Sequence, residues 1–173
     1  FPWPGNDDYY PFEITPLADG DWIETEGARL RAVHTPGHAP DHLCFWLEEE
    51  AALFTGDNVL GVGTTVIPAE SGDLGLYMQS LRDLLALQPG RIYPAHGPCI
   101  EAGQEKLREY IAHREERERQ ILAALDAGAH EVAAMVRIIY AAYPEALHAA
   151  AAQSVTAHLR KLEAEGRVHW QHT

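Results

Sequence analysis

Three short turns constrain this chain more than any other part of it. His38 lies in the segment His34–His42, beside Thr35, Pro36 and Gly37; Asp57 follows Thr55 and Gly56; His96 stands between Tyr93-Pro94 and Gly97. Each turn adjoins an apolar, strand-like run, so the fold must carry these side chains on strand ends. Imidazole nitrogen and carboxylate oxygen are ordinary ligands of first-row metals. One histidine beside a glycine is ordinarily structural, and Asp57 alone reads equally well as a cap or Asx-turn residue. Three such residues, each on a strand end and in the order His, Asp, His, read as a cluster.

The runs around the turns give the organisation. Phe1 to Pro16 is rich in Pro, aromatics and acids and reads as an irregular arm. Arg29 to Val33 alternates, with Leu30, Ala32 and His34 on one side, and suits a strand ending at the Thr35-Pro36-Gly37 turn. His42 to Leu47 is apolar on both faces, which predicts a strand covered on both sides. Glu48 to Glu50 makes a solvated turn, and Ala51 to Phe54 returns as a strand. His38 and Asp57 therefore fall at the same end of a strand pair. Gly61 to Val66 reads as a turn, since two glycines are weak evidence for a phosphate loop. Asp73 to Leu87 has Leu74, Tyr77, Met78, Leu81, Leu84 and Leu85 at helical spacing. Arg91 to Tyr93 is a short strand leading to His96.

After Gly103 the texture changes. Helices are expected over Gln104 to Leu125, Glu131 to Ala142 and Ser154 to Glu165, with Gly128 and Gly166 as stops and Pro144 ending the second. A strand is expected to start at Val168 and run into Trp170. Three helices and a strand suggest a helical, winged-helix-like unit over 104–173, beside a first unit over 1–103.

Charge is uneven. The net charge is −13 over 173 residues, and residues 1–103 hold four arginines, no lysine and sixteen acids, whereas residues 104–173 are nearly balanced. Bound divalent cations would offset part of that acidity. The balance argues against a protein that coats nucleic acid. Cys44 and Cys99 form no disulfide framework, which suits a reducing, intracellular compartment, mitochondrial or cytoplasmic. No apolar run is long enough for a membrane span, and no signal peptide is visible. The chain starts at Phe1 and is read as part of something longer.

Together these segments resemble the metallo-β-lactamase superfamily. The similarity rests on His34–His42, on Phe54–Gly61, on Gly63-Thr64-Thr65 and on Tyr93–Pro98, with His158–Gly166 in the tail. It is greatest to the beta-lactamase-like hydrolases of the endoribonuclease type that carry a C-terminal helical domain. The resemblance implies an α/β (α+β) fold, the C-terminal half of an αββα sandwich plus the winged-helix-like unit. It implies that His38 ligates a first metal, His96 a second, and that Asp57 bridges both and so belongs to the catalytic centre. The metals would be zinc, with manganese or iron as alternatives, and a metal-bound hydroxide would be the nucleophile. His34 and His42 stay outside the ligand set, His34 as a packing or supporting residue and His42 as a supporting or substrate-facing one. The substrate would be single-stranded RNA or, alternatively, a thioester; no substrate-binding residue is assigned.

The family's first ligand cluster, His-x-His-x-Asp-His, does not occur in this sequence. Two protein ligands per metal are too few for a stable zinc site. The expectation is that this chain alone binds metal weakly and turns over little, and that the N-terminal half is its missing partner. A non-catalytic fragment or interaction module is the reading from another class. Uncovered apolar faces, such as that of Phe45 and Leu47, would favour association of copies into a homo-oligomer. In the tail, Arg160, Lys161 and Arg167 are candidates to hold an anionic strand, against the alternative of a helical cap.

Overall fold

The computed structural model describes residues 15–169. Strands β1 (Trp22–Glu24), β2 (Arg29–His34), β3 (Leu43–Leu47) and β4 (Ala52–Gly56) form an antiparallel meander, and β5 (Arg91–Pro94) adds to β4 in parallel. A parallel neighbour requires a crossover, and helix α1 (Leu74–Ala86) supplies it. Helices α2 (Gly103–Asp126), α3 (Val132–Ile139) and α4 (His148–Ala164) follow. Among the described residues no helix is long and apolar enough to cross a membrane.

The register explains the core. Trp46 pairs with Leu53, and Leu53 with Ile92, so these side chains share one sheet face. That face meets Tyr77, Leu81 and Leu84 of α1 and Leu107 and Tyr110 of α2. Asp73 starts α1 by accepting a hydrogen bond from the Leu76 amide at 2.9 Å, the usual N-cap device. The opposite face carries Ala32, Phe45, Phe54 and Tyr93 in register. There Phe45 is half-buried, and Phe54 is 38% exposed and stacks on Tyr93. The two-sided apolar pattern of β3 thus finds full cover on one face only.

The second core lies among the helices. Ile121 and Ala124 of α2 meet Met135 and Val136 of α3 and Val155, Leu159 and Leu162 of α4. Helix α2 therefore serves both cores, its first half on α1 and the sheet, its second half on α3 and α4. Gly128 (φ +88°) and Gly166 (φ +70°) close α2 and α4 with paired i−5 and i−3 backbone bonds, the Schellman arrangement. Two helix limits differ from the sequence reading. Helix α3 stops at Ile139, because Tyr140–Tyr143 turn ahead of Pro144. Helix α4 begins at His148, since the alanine run 149–152 is a strong helix former and extends it backwards. The strand expected from Val168 is not formed at Val168 or His169, and Trp170 lies outside the described residues.

Two side chains record how tightly α4 seats on α2. Lys161 meets Glu118 at 2.6 Å, both largely buried, and Arg167 also pairs with Glu118. His158 is 1% exposed and donates from Nδ1 to the Ser154 carbonyl at 2.8 Å. Burial pushes its pKa down to about 4, and the Arg114 charge adds to the shift. In the unfolded chain the ring titrates near 6.5. The unfolded state therefore holds more protons between those two values, and stability falls as pH is lowered through that window. The loss should approach about 3 kcal/mol by pH 4. Urea unfolding across this range should show a shallower acid loss for His158→Leu; equal slopes would contradict the assignment.

Gly61 and Gly97 let two loops touch. A Cβ on Gly61 would lie 2.4 Å from the Pro98 carbonyl oxygen, and one on Gly97 would lie 2.9 Å from the Gly61 Cα. Backbone cannot yield as a side-chain tip can, so Gly61→Ala should cost roughly 1–3 kcal/mol by denaturant titration. A Cβ on Gly27 meets nothing within 4 Å. Gly27→Ala should therefore be neutral within about 0.5 kcal/mol.

Candidate metal centre

Strand ends and loop contacts bring Asp57 and His96 together. The β4–β5 pairing shifts register between Phe54 and Gly56, a bulge that bends β4 just before Asp57. Gly56 adopts φ +52°, and a Cβ there would lie 2.7 Å from His42 Nε2. Only glycine combines that backbone with a histidine ring so close. From the other side, the Ala95 amide donates to the Gly56 carbonyl at 3.0 Å, and the Gly61 amide to the His96 carbonyl at 2.9 Å. His96 Nε2 then stands 3.4 Å from Asp57 Oδ1. The His96 side chain is 76% exposed, whereas Asp57 Oδ1 is buried and accepts no hydrogen bond.

His38 is set by a separate loop. Its Nδ1 donates to the Val66 carbonyl at 2.8 Å. A carbonyl can only accept, so the proton sits on Nδ1 and the Nε2 lone pair is left for a ligand. The turn before it packs on α1: Gly37 has φ +132°, and a Cβ there would lie 2.4 Å from the Tyr77 backbone. Ser80 donates to the Pro36 carbonyl at 2.8 Å.

His42 sits within electrostatic reach of both His38 and Asp57. Burial lowers its pKa first, His38 lowers it further, and Asp57 and Asp41 oppose the shift. It is therefore neutral at pH 7. Its Nδ1 lies 2.9 Å from the Thr35 hydroxyl. His34 points elsewhere, with Nε2 2.9 Å from the Pro40 carbonyl.

Several polar residues that hold the site were given no role from sequence. Asn58 is fully buried and donates from Nδ2 to the Thr35 carbonyl at 3.0 Å. Its own carbonyl accepts from Tyr77 Oη at 2.7 Å and from Thr65 Oγ1 at 3.1 Å. The single Thr65 hydroxyl proton is shared with the Asp57 carbonyl, the nearer acceptor at 2.8 Å. Tyr110 Oη accepts from the Leu60 amide and donates to the Gly63 carbonyl, each at 3.0 Å. Tyr77 reads from spacing only as an apolar residue of α1. The visible signal for Asn58 was a lone amide between Asp57 and the apolar pair Val59-Leu60. Cys44 is buried with its thiol pushed up to about 12, so it is a packing residue and no nucleophile.

The donors fit a divalent cation in kind: two imidazoles, one with its tautomer fixed, and a carboxylate with an unsatisfied buried oxygen. They do not close a coordination sphere. Among the described residues no group of three or more His, Cys, Asp or Glu stands together as a metal cage.

Comparison with known proteins places this arrangement. Residues 2–96 match the model of the metallo-beta-lactamase superfamily, and residues 132–172 that of the beta-lactamase associated winged helix domain. The lactamase-like protein nscB of Arthroderma gypseum is 57% identical over 109 residues, which is 63% of this chain and 34% of that protein. The lactamase-like protein adaB of Aspergillus niger is 56% identical over 110 residues, 64% of this chain and 33% of its own length. A metallo-beta-lactamase family protein of Thermus thermophilus superposes with TM-score 0.74 at 30% identity, over 92% of this chain and 52% of that one. A beta-lactamase domain protein of Burkholderia ambifaria shares the fold, with TM-score 0.80 at 23% identity over 94% of this chain and 50% of its own. The chain thus spans about a third of the length of the curated relatives it matches. It belongs to the metallo-beta-lactamase superfamily, and it carries that superfamily's associated winged helix domain after the sheet that presents Asp57 and His96.

Proposed function

We propose that this chain is the part of a metal-dependent hydrolase that contributes His38, Asp57 and His96 to a two-cation centre. The observation that carries the reading is Asp57 Oδ1, buried without a hydrogen bond and facing His96 Nε2 at 3.4 Å. An orphaned carboxylate oxygen in a native site calls for a partner. A cation held there would supply Lewis-acid polarisation and a nucleophile at neutral pH. Zinc suits the imidazole-rich set, with manganese and iron as alternatives. The chain's own residues orient the site: Val66 keeps the His38 proton on Nδ1, and Thr35 holds the neutral His42 beside Gly56. The remaining ligands belong to sequence outside this chain.

Of the two substrate classes we prefer the thioester, because the tail cations that would grip single-stranded RNA are largely engaged elsewhere. A phosphate strand needs exposed cations. Lys161 and Arg167, two of the three tail cations, are engaged by Glu118 and Glu165. Among the described residues, only Arg160 of the three is exposed without such a partner. Those pairs support the reading of the tail as a helical cap, and the acidic balance of residues 1–103 points the same way.

In the full-length protein, Asp57→Asn and His96→Ala should each lower turnover by about a hundredfold or more and reduce bound metal. Retention of activity and metal in both variants would sink the proposal. Thiol release from an acyl thioester, measured beside cleavage of a single-stranded RNA, decides the substrate; RNA cleavage without thiol release reverses the preference. Isothermal titration of zinc into this chain alone should show no sub-micromolar two-metal site.

A further inference from the structure

Two arginines of α2 keep their charge in the interior without a carboxylate. Arg114 is 6% exposed and Arg117 is 7% exposed. Among the described residues neither takes part in an ion pair. The nearby acids of the same helix face other partners: Glu115 meets Arg82, Glu116 meets Arg119, and Glu118 holds Lys161 and Arg167. Arg114 Nη2 donates to the Thr65 carbonyl, and Arg117 Nη1 donates to Gln120 Oε1 at 2.7 Å. The Nε of each is buried with no partner. Guanidinium carries a fan of N–H donors, and beyond these bonds the two groups have, among the described residues, only aromatic faces beside them, Tyr77 at 5.5 Å from Arg114 and Tyr140 by Arg117. A buried cation is costly unless an anion meets it.

Both arginines line a pocket of about 360 Å³ between the loop Gly63–Ile67 and the helical unit. Its other walls are mostly apolar, chiefly Val66, Ile67, Tyr140, Tyr143 and Leu147, with Thr64 and Ser154 among the neutral polar members. Tyr143 and Leu147 are each about half exposed at the lip, and the Arg117 guanidinium lies 4.2 Å from the centre of the Tyr140 ring. His113 also lines the pocket, and its pKa is lowered by burial and then by Arg114 and Arg117, in keeping with a positive field.

We propose that this pocket binds an organic carboxylate with an aromatic body, the carboxylate meeting Arg114 and Arg117 and the body lying against Tyr140, Tyr143 and Leu147. The planar guanidinium matches a carboxylate edge, and a singly charged head sheds water at less cost than a phosphate dianion. The pocket is separated from His38 by one stretch of backbone, since Val66 lines it and also accepts the His38 proton. The inference stands on the arginines and does not depend on the hydrolase reading.

The test is isothermal titration of 2-naphthoate into the full-length protein, after chelation so that no bound cation competes for the carboxylate. One saturable site is expected. Uncharged 2-naphthylmethanol, inorganic phosphate and the variant Arg117→Met should each bind or be bound about tenfold more weakly or worse. Asp57→Asn should leave the affinity within about twofold, which separates this pocket from the metal centre. Circular dichroism checks that Arg117→Met is folded; should it not be, Tyr143→Ala at the lip is read instead and should lose about threefold or more. Equal affinity for the uncharged analogue, unchanged binding in the variant read, tighter binding of phosphate, or no binding of naphthoate overturns the proposal. A flanking segment of the full-length protein that already fills the pocket gives that last result.

Discussion

The site depends on one buried amide. Asn58 is fully buried and joins four segments at once. Its side chain holds the Thr35 carbonyl at the foot of the His38 turn, and its carbonyl collects Tyr77 of α1 and Thr65 of the following loop. Its amide closes the turn onto Thr55. Each of these groups would be costly to bury alone, and the bonds made here satisfy all of them but the Asn58 Oδ1, which is buried without a partner. The His38 and Asp57 turns are therefore placed by the same contacts. The His96 turn is brought to them through backbone bonds to Gly56 and Gly61, where glycines permit the approach.

Charge follows the same logic of pairing. The tail resembles a basic patch when its residues are counted along the chain, yet Lys161 and Arg167 are spent in fastening α4 to α2 through Glu118. A largely buried pair of this kind contributes more to the geometry of helix docking than to net stability. Arg114 and Arg117, which carry no distinctive signal in the sequence, end as buried cations without a carboxylate among the described residues. Side-chain chemistry was visible in both cases; which charges remain unmatched was not.

Strands β2 to β5, the α1 helix and the three turns could be read in advance, because period and turn chemistry are local; the three-residue β1 was too short to show a period. The open face of β3 at Phe45 follows from the missing first half and was expected, whereas the early stop of α3 and the missing strand at Val168 were not, because each turns on what packs against the segment. Likewise Tyr77 reads as an apolar residue at helical spacing and Tyr110 has no separate signal within its helix, and their hydroxyls gain roles only where loops from distant sequence reach them.

Sequence alone established the ligand types and their order, His38, Asp57 and His96, with the strand ends that bear them and the superfamily they resemble. That much is written in local pattern. The tertiary structure decided that Asp57 and His96 face each other, that His38 keeps its proton on Nδ1, and that two buried arginines share a pocket with no acid among its walls. Distances and desolvation arise only when separate segments meet, so no reading along the chain contains them.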